Sequence, residues 1–167
     1  MKVISRSNLT DQGMIMSDMQ EEDYLGASAR CVLFTLENEI YGIHVKKIRE
    51  VLRVGVIRDV AGTPYNVLGV INVRGVIVTV IDTRTMYNMP SKEISELSRI
   101  IIVELDDDRA VGMLVDFVME VKDIPESKIE SLSASKDNAS RYIQGIAHYQ
   151  DNVIILIDVD NMFMGHE

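Results

Sequence analysis

Two stretches of this 167-residue chain follow one pattern. Residues 69–82 read Gly-Val-Ile-Asn-Val-Arg-Gly-Val-Ile-Val-Thr-Val-Ile-Asp, and residues 145–158 read Gly-Ile-Ala-His-Tyr-Gln-Asp-Asn-Val-Ile-Ile-Leu-Ile-Asp. Glycine, apolar positions and the final aspartate coincide at an offset of 76 residues, and Met86-Tyr87 falls on Met162-Phe163 at the same offset. Repetition of this kind is typical of two units that share a fold. The sequence therefore indicates an internal duplication.

The duplication extends upstream with a different spacing. At an offset of 70, four positions match: Gly42, Val45, Ile48 and Val51 fall on Gly112, Val115, Val118 and Val121. We place the first repeat at about residues 31–88 and the second at about 98–163, with six extra residues in the second. Where the copies differ, Asn72, Arg74 and Gly75 face His148, Gln150 and Asp151. Such differences within a shared frame are where function is expected.

Composition excludes several classes of protein. The net charge of −9 and the pI near 4.8 argue against a nucleic-acid binder, which needs clustered Lys and Arg. A single cysteine, Cys31, permits neither an internal disulfide nor a cysteine-rich zinc site. No signal-peptide stretch and no membrane-spanning apolar window is found. We expect a soluble, cytoplasmic protein without direct membrane insertion.

The first part of the chain has no hydrophobic periodicity. In residues 1–29, acidic residues outnumber basic ones, the acidic ones being Asp11, Asp18, Glu21, Glu22 and Asp23. Such composition cannot bury enough apolar surface to order itself. We expect a flexible acidic tail over residues 1–29 and a folded region over 30–167.

Alternating and β-branched runs predict strands in both repeats. Residues 32–36 and 40–45, separated by a polar turn, read as a hairpin, and residues 100–105 and 110–115 repeat it around Asp106-Asp107-Asp108. The continuous apolar runs 76–81 and 153–157 predict central strands. Short strands at regular spacing favour a mainly β fold, either two small barrels packed together or a sandwich, and we favour the barrels.

The remaining segments are less regular. Residues 46–52 fit a helix and a strand equally well. Thr63-Pro64 predicts a short helix that stops at Gly69. The polar stretches 89–96 and 131–140 are predicted to be solvent-facing, mobile loops.

No group of side chains has the spacing of a catalytic, cofactor or metal site. His44 alternates with apolar neighbours on a predicted strand, so an outward polar role is expected, and the same holds for His148. Asp106-Asp107-Asp108 lacks the spaced ligands of a calcium loop. Asp82 and Asp158 sit at equivalent places after the central strands, and each is expected to cap the next turn or helix.

Arg74 is the main candidate for a functional side chain. It precedes a glycine and a buried strand, and its counterpart Gln150 shows that the fold does not require a cation there. An exposed arginine in that place suits a partner contact or a fixed ion pair.

Three motif segments together carry a family resemblance. They are Phe34-Thr-Leu with Tyr41-Gly42-Ile43 and Ile48-Arg49-Glu50-Val51, then Gly69-Val-Ile-Asn72-Val-Arg74-Gly75, then Val80-Ile-Asp82-Thr-Arg84. Over about residues 31–163 they strongly resemble the CheW family of bacterial chemotaxis coupling proteins. The resemblance implies two intertwined five-stranded, SH3-like β-barrel subdomains with short helices and no catalytic activity.

The resemblance also implies partners and site residues. Such proteins join transmembrane chemoreceptors, through their cytoplasmic helical tip, to the regulatory domain of a histidine kinase, and recruitment to membrane-associated receptor arrays is implied as well. Carried over to this sequence, the receptor- or kinase-binding residues are Ile48, Glu50, Arg74 and Val121. Glu50 and Arg74 are expected to form an ion pair that shapes the binding groove.

The sequence departs from the family pattern at Val73, Ala61 and Thr79, where Leu, Pro and Pro are common. These changes leave partner specificity open. An adaptor of another chemosensory pathway, such as pilus-driven motility, fits the same pattern. A small enzyme using Arg74 with Asp82 or His44 is the remaining alternative, but no motif predicts the necessary pocket.

Overall fold

The computed structural model describes residues 26–132 and 142–163 of the chain. Within them lie eleven β-strands, two short α-helices and two 3-10 turns. The strands are β1 Ser28–Leu36, β2 Glu39–His44, β3 Ile48–Arg53, β4 Val67–Val73, β5 Val76–Asp82, β6 Arg99–Glu104, β7 Ala110–Val115, β8 Phe117–Pro125, β9 Ile129–Ser131, β10 Ile143–Tyr149 and β11 Asn152–Ile157. The helices are α1 Thr83–Met86 and α2 Val159–Met162, and the 3-10 turns are Val45–Lys47 and Glu126–Lys128.

The strands form two sheets, and each sheet contains strands from both repeats. Sheet I has the order β3-β6-β7-β5-β4, and sheet II has the order β8-β1-β2-β11-β10-β9. The first hairpin, β1–β2, therefore joins the sheet built mostly from the second repeat, and the second hairpin, β6–β7, joins the sheet built mostly from the first. The repeats are intertwined by this exchange of hairpins.

The exchanged hairpins are attached by the same parallel pairing in both sheets. In sheet I, Val80 of β5 lies opposite Gly112 of β7. In sheet II, Leu156 of β11 lies opposite Gly42 of β2. A Cβ at Gly42 would lie 3.1 Å from the Leu156 side chain, which explains why both repeats carry glycine here.

Apolar side chains are buried in three clusters. One lies within sheet I around Val80 and Ile100, and one lies within sheet II around Leu33 and Leu156. The largest lies between the sheets and combines residues of both, including Phe34, Val51 and Met113. Burial of apolar surface stabilises a fold by roughly 25 cal/mol per Å², so this shared cluster helps to hold the two sheets together.

Most predicted elements are confirmed. Both hairpins form, the strands around residues 76–81 and 153–157 are interior in their sheets, and the mainly β fold with short helices is observed. Asp82 and Asp158 cap α1 and α2, since their carboxylates accept from the N–H groups of Arg84 and Asn161. Sheet II has a sixth strand, the short β9, whose place in sheet I is taken by a single bridge between Arg58 and Val70.

Residues 46–52, whose sequence fitted a helix and a strand equally well, form the end of a 3-10 turn followed by a strand. The first of these residues belong to the 3-10 turn Val45–Lys47, and β3 then runs from Ile48 to Arg53. A bulge between Ile48 and Glu50 shifts the register against β6. The helix-like spacing of the apolar residues thus reflects a bulged strand.

The predicted helix between Thr63 and Gly69 is wrong. Thr63 Oγ1 donates to Val60 O at 3.0 Å instead of capping a helix, and Val67 N–H donates to Pro64 O to close a turn. Strand β4 begins at Val67, and Gly69 lies inside it with φ +150°, where the backbone of Arg58 approaches closely. Pairing with β5 overrides the local helix signal.

Two further predictions are limited by the structure. Strand β5 is interior, but Val76 and Ile77 at its start are more than half exposed, so only its later half is buried on both faces. Strand β1 already begins at Ser28, inside the predicted tail. Residues 1–25 and 133–141 lie outside the described part of the chain, so the predicted flexibility of the tail and of the loop there stays a prediction.

Candidate functional site

Arg74 is presented by a tight turn between β4 and β5. Arg74 and Gly75 both have positive φ, 51° and 89°, and Val73 pairs with Val76 across the turn. Two successive positive φ values are typical of the two-residue turns that match strand twist. Asn72 Oδ1 accepts from Gly75 N–H at 2.7 Å and holds the turn closed. The arginine side chain therefore leaves the sheet from a fixed position.

The side chain of Arg74 reaches Glu50 on β3. Nη1 donates to Glu50 Oε1 at 3.3 Å, and Nη2 donates to Oε2. This hydrogen bond, with the charge of Glu50, raises the pKa of the Arg74 guanidinium. The side chain of Arg74 is 72% exposed and that of Glu50 21%. The predicted ion pair is therefore present, and it holds an exposed guanidinium in one orientation.

A small pocket lies beside this ion pair. Its volume is about 280 Å³, and its lining combines the polar side chains of Arg53, Asn72 and Arg74 with apolar ones, among them Leu52 and Ile71 of sheet I and Val56 beyond the end of β3. Val56 is 82% exposed, and Ile77 near the turn is 62% exposed. Exposed apolar side chains beside a charged side chain and a shallow pocket are a common arrangement in protein-binding surfaces.

The other two predicted site residues lie elsewhere. Ile48 and Val121 are half-buried, and both pack against the cluster between the sheets. Val121 pairs with Val32 in sheet II, whereas Ile48 pairs with Val103 in sheet I. The structure thus brings Glu50 and Arg74 together and places Ile48 and Val121 at the margin of the inter-sheet core.

The second repeat has a corresponding contact with the charges rearranged. Gln150, the counterpart of Arg74, has φ 53° and accepts from Lys122 Nζ at 2.7 Å. Lys122 also lies 5.9 Å from the centre of the Tyr149 ring. In both repeats the hairpin turn contacts a strand at the opposite edge of the same sheet, β3 or β8, but in the second repeat that strand supplies the cation.

Arg84 is a structurally important residue whose partners the sequence did not predict. Its side chain is 5% exposed; Nη1 donates to Asp116 at 2.6 Å, Nε donates to Pro90 O at 2.9 Å, and Nη2 donates to Glu37. Burial opposes the charge, but the hydrogen bond to Glu37 and the charge of Asp116 outweigh it and raise the pKa of Arg84. Arg84 thereby ties α1 to the β1–β2 turn, through Glu37, and to the connection between β7 and β8, through Asp116.

The second repeat also has a charge triad, but the residue at the position of Arg84 is an anion in it. Asp160 occupies the place of Arg84 at the 76-residue offset. Lys47 Nζ lies 2.5 Å from Asp160 and 2.5 Å from Asp106. One cation between two carboxylates is thus found on both sides of the molecule. The 76-residue offset relates Arg84 to Asp160 but connects none of their partners, so the sequence carries no signal for the complete triads.

The contacts of His44 are those of a residue that stabilises a local turn. His44 Nδ1 accepts from Lys46 N–H at 3.2 Å at the start of a 3-10 turn, and burial with nearby Lys46 lowers the His44 pKa. Among the described residues, no three His, Cys, Asp or Glu side chains are grouped so as to hold a metal ion. None of the helices in the same residues is long and apolar enough to cross a membrane.

Comparison with known proteins decides the family. A family model described as a CheW-like domain matches residues 30–166. The chain belongs to the CheW-like family. This is a family of scaffold and adaptor proteins.

Relatives support this assignment. The chain is 30% identical over 137 residues to the chemotaxis protein CheW of Klebsiella aerogenes, covering 81% of this chain and 82% of that protein. It is 30% identical over 132 residues to chemotaxis protein CheW of Bacillus subtilis, covering 78% and 84%. It is also similar to the crystal structure of the scaffolding protein TtCheW from Thermoanaerobacter tengcongensis, with a TM-score of 0.76, 34% identity, and coverage of 82% and 93%.

Proposed function

We propose that this protein couples chemoreceptors to a cytoplasmic histidine kinase and lets the receptors control the kinase. The observation that carries the proposal is the Glu50–Arg74 pair, an exposed guanidinium held beside a pocket of mixed polar and apolar lining in a CheW-like domain. A coupling protein needs recognition surfaces and no reaction chemistry, and the surroundings of this pair fit that need.

The receptor side is proposed to be the helical tip of its cytoplasmic part. An amphipathic helix binds by laying apolar residues in a groove while charged neighbours fix its register. Half-buried Ile48 and Val121, at the margin of the inter-sheet core, offer the apolar contact. Glu50 and Arg74 offer the charges.

The kinase side is proposed to be the regulatory domain, which would meet exposed ends of the two sheets. Val76 and Ile77 at one hairpin end and Val153 at the other are exposed apolar side chains at equivalent places. Two such ends on one molecule would allow assembly into arrays at the membrane, where weak contacts gain strength through multivalency. We place this activity in the cytoplasm and assign it to the folded region that begins with β1 at Ser28.

The test is receptor-dependent activation of the kinase by the full chain and by Arg74→Ala. Because the Arg74 side chain is exposed, its removal should leave the fold intact, and we expect activation to fall about tenfold, as for a central arginine of an interface. Arg30→Ala is the matched control, since Arg30 forms a similar two-point pair with Asp123 on sheet II at 2.8 and 3.1 Å.

Co-sedimentation with receptor-bearing membranes and with the kinase separates the two contacts. We expect Arg74→Ala to weaken sedimentation with the receptor-bearing membranes, and loss of sedimentation with the kinase alone would contradict the assignment of Arg74 to the receptor side. Full activation by Arg74→Ala, or equal losses for both variants, would contradict the role given to the pair.

A further inference from the structure

One cross-strand position of the fold carries different charges in the two sheets. In sheet II, Arg30 of β1 lies directly opposite Asp123 of β8, and their side chains form an ion pair at 2.8 Å. In sheet I, the same position is taken by Arg99 of β6, which lies directly opposite Arg53 of β3. A salt bridge in one sheet thus corresponds to two facing arginines in the other.

The register of the strands shows that the two positions are equivalent. In each sheet the arginine lies three residues before the partner of the glycine in the parallel pairing, and that partner is Leu33 in sheet II and Ile102 in sheet I. The residues opposite the arginines, Asp123 and Arg53, are related by the 70-residue offset of the duplication. Like charges directly opposite each other are unfavourable in a sheet. Sheet I therefore lacks a carboxylate that its counterpart contains.

The arginines without a carboxylate partner are found close together. Five of the eight arginines in the described part of the chain form ion pairs with Asp or Glu. Among residues 26–132 and 142–163, no carboxylate pairs with the other three, which are Arg53, Arg58 and Arg99. Arg53 and Arg58 are exposed, and Arg99 Nη1 donates to the carbonyl oxygens of Glu96 and Ser98, both at 2.8 Å. Three guanidinium groups in a chain of net charge −9 are thus left without an anion at the end of β3 or just beyond it.

Exposed apolar side chains lie among these arginines. Val56, which is 82% exposed, comes between Arg53 and Arg58 in the chain, and Leu97, which is 57% exposed, comes two residues before Arg99. We call these five residues the arginine patch. Guanidinium groups beside exposed apolar side chains favour a segment that brings both carboxylates and apolar side chains.

The first part of the chain has this composition. Residues 11–18 read Asp-Gln-Gly-Met-Ile-Met-Ser-Asp, in which two carboxylates flank three apolar side chains, and further acidic residues follow at positions 21–23. These residues lie outside the described part of the chain, which begins at Gly26. An extended chain from Met16 to Gly26 spans about 33 Å, at roughly 3.3 Å per residue. This is more than twice the radius of gyration expected for a domain of this size, about 14 Å, so the segment is long enough to reach the patch.

We propose that the arginine patch is the docking site of residues 11–18 of the same chain. A carboxylate of this segment takes the place that the aspartate has in the ion pair of sheet II, and the methionine and isoleucine side chains cover the apolar part of the patch. Attachment to the same chain gives the segment a high effective concentration, so contacts that are weak individually suffice. Arg53 and Val56 also line the pocket beside Arg74, so the docked segment shields part of that surface. The docking contact does not depend on the coupling role proposed above.

The test is paramagnetic relaxation in the full chain, labelled with ¹⁵N and carrying a nitroxide at Ser17→Cys, with Cys31→Ala so that the label has one site. At low salt we expect strong broadening of the amide signals of Arg53 and Arg99 that does not change on dilution. Arg53→Asp gives sheet I the ion pair that sheet II contains, so it should keep the fold. It should lower the paramagnetic relaxation rate at Arg99 about tenfold, because it removes one guanidinium and supplies the other with an internal carboxylate.

The matched control is Lys92→Asp, the same change of charge at an exposed residue outside the patch, and it should leave the relaxation rate at Arg99 unchanged. Equal losses for both variants would reduce the contact to general attraction between charges and overturn the docking site. Absence of broadening at Arg99 would overturn it as well. So would broadening that appears only when spin-labelled chains are mixed with separate ¹⁵N-labelled chains, since the contact would then join two copies.

Discussion

Replacement of Arg84 by leucine should destabilise the fold substantially. The change removes three hydrogen bonds from a side chain that is 5% exposed: those to Asp116, Pro90 and Glu37. Breaking a buried ion pair costs roughly 3–5 kcal/mol, because the remaining partner is left uncompensated. Asp116 keeps its bond from Glu37 N–H at 2.9 Å, which favours the lower end, about 3 kcal/mol.

The measurement is urea unfolding followed by circular dichroism, together with the melting temperature. For a chain of this length, about 3 kcal/mol corresponds to a fall in Tm of roughly 6–12 °C. Arg84→Lys should show an intermediate loss, because lysine retains the charge but not the planar fork that serves three acceptors. Arg49→Leu is the control, since Arg49 forms an exposed pair with Glu104 at 3.1 Å. If Arg84→Leu and Arg49→Leu lowered stability equally, the role given to burial would be refuted.

Two further predictions concern buried positions. Burial raises the pKa of the Cys31 thiol to about 11 from 9.0, so at pH 8 its thiolate fraction is about 100-fold smaller than in urea-unfolded protein, and alkylation by iodoacetamide should be at least that much slower. The same shift makes stability fall as the pH rises from about 9 to 11, because the unfolded thiol ionises first; a Cys31→Ala variant that kept that loss would contradict this origin. Gly69→Ala should cost more than about 3 kcal/mol in urea unfolding, because φ is +150° and a Cβ would overlap the Arg58 carbonyl, whereas Gly55→Ala, with open space around it, should be nearly neutral; equal effects would show that the contact is unimportant.

The local elements of the fold could be predicted from the sequence. The apolar runs 32–36 and 100–105 fix hairpins because each is followed by a polar turn and a second run within a few residues. Because the chain is duplicated, each of these patterns occurs twice, and the second occurrence supports the interpretation of the first. The partnership of the hairpins could not be predicted in this way, because parallel pairing of β5 with β7 joins residues about thirty positions apart and leaves no local pattern.

The errors arose where a local signal competed with pairing. Thr63 and Pro64 are good helix-starting residues, but β4 gains a full antiparallel partner in β5 by beginning at Val67. Glycine at position 69 suggested a helix end, whereas its function is to admit the Arg58 backbone. From the sequence alone, a glycine that ends a helix cannot be told from a glycine that admits another backbone segment, because the approaching residue is distant in the chain.

The candidate site was partly accessible from the sequence. Opposite charges in two motif segments led to Glu50 and Arg74, and the structure contains their ion pair. The roles of Ile48 and Val121 in binding stay predictions, because they depend on a partner surface. Arg84 and its two carboxylates were missed, since three charges from separate parts of the chain meet only after the hairpins are exchanged.

The exchange of hairpins makes the two halves of the chain obligate complements. If the backbone were cut between Met86 and Arg99, each fragment would hold a hairpin whose sheet lies in the other fragment, and neither would have a complete core. The fragments should therefore be poorly ordered when separate and should regain the fold when mixed. Because each sheet contains strands from both halves of the chain, a displacement of either sheet moves strands of both repeats together.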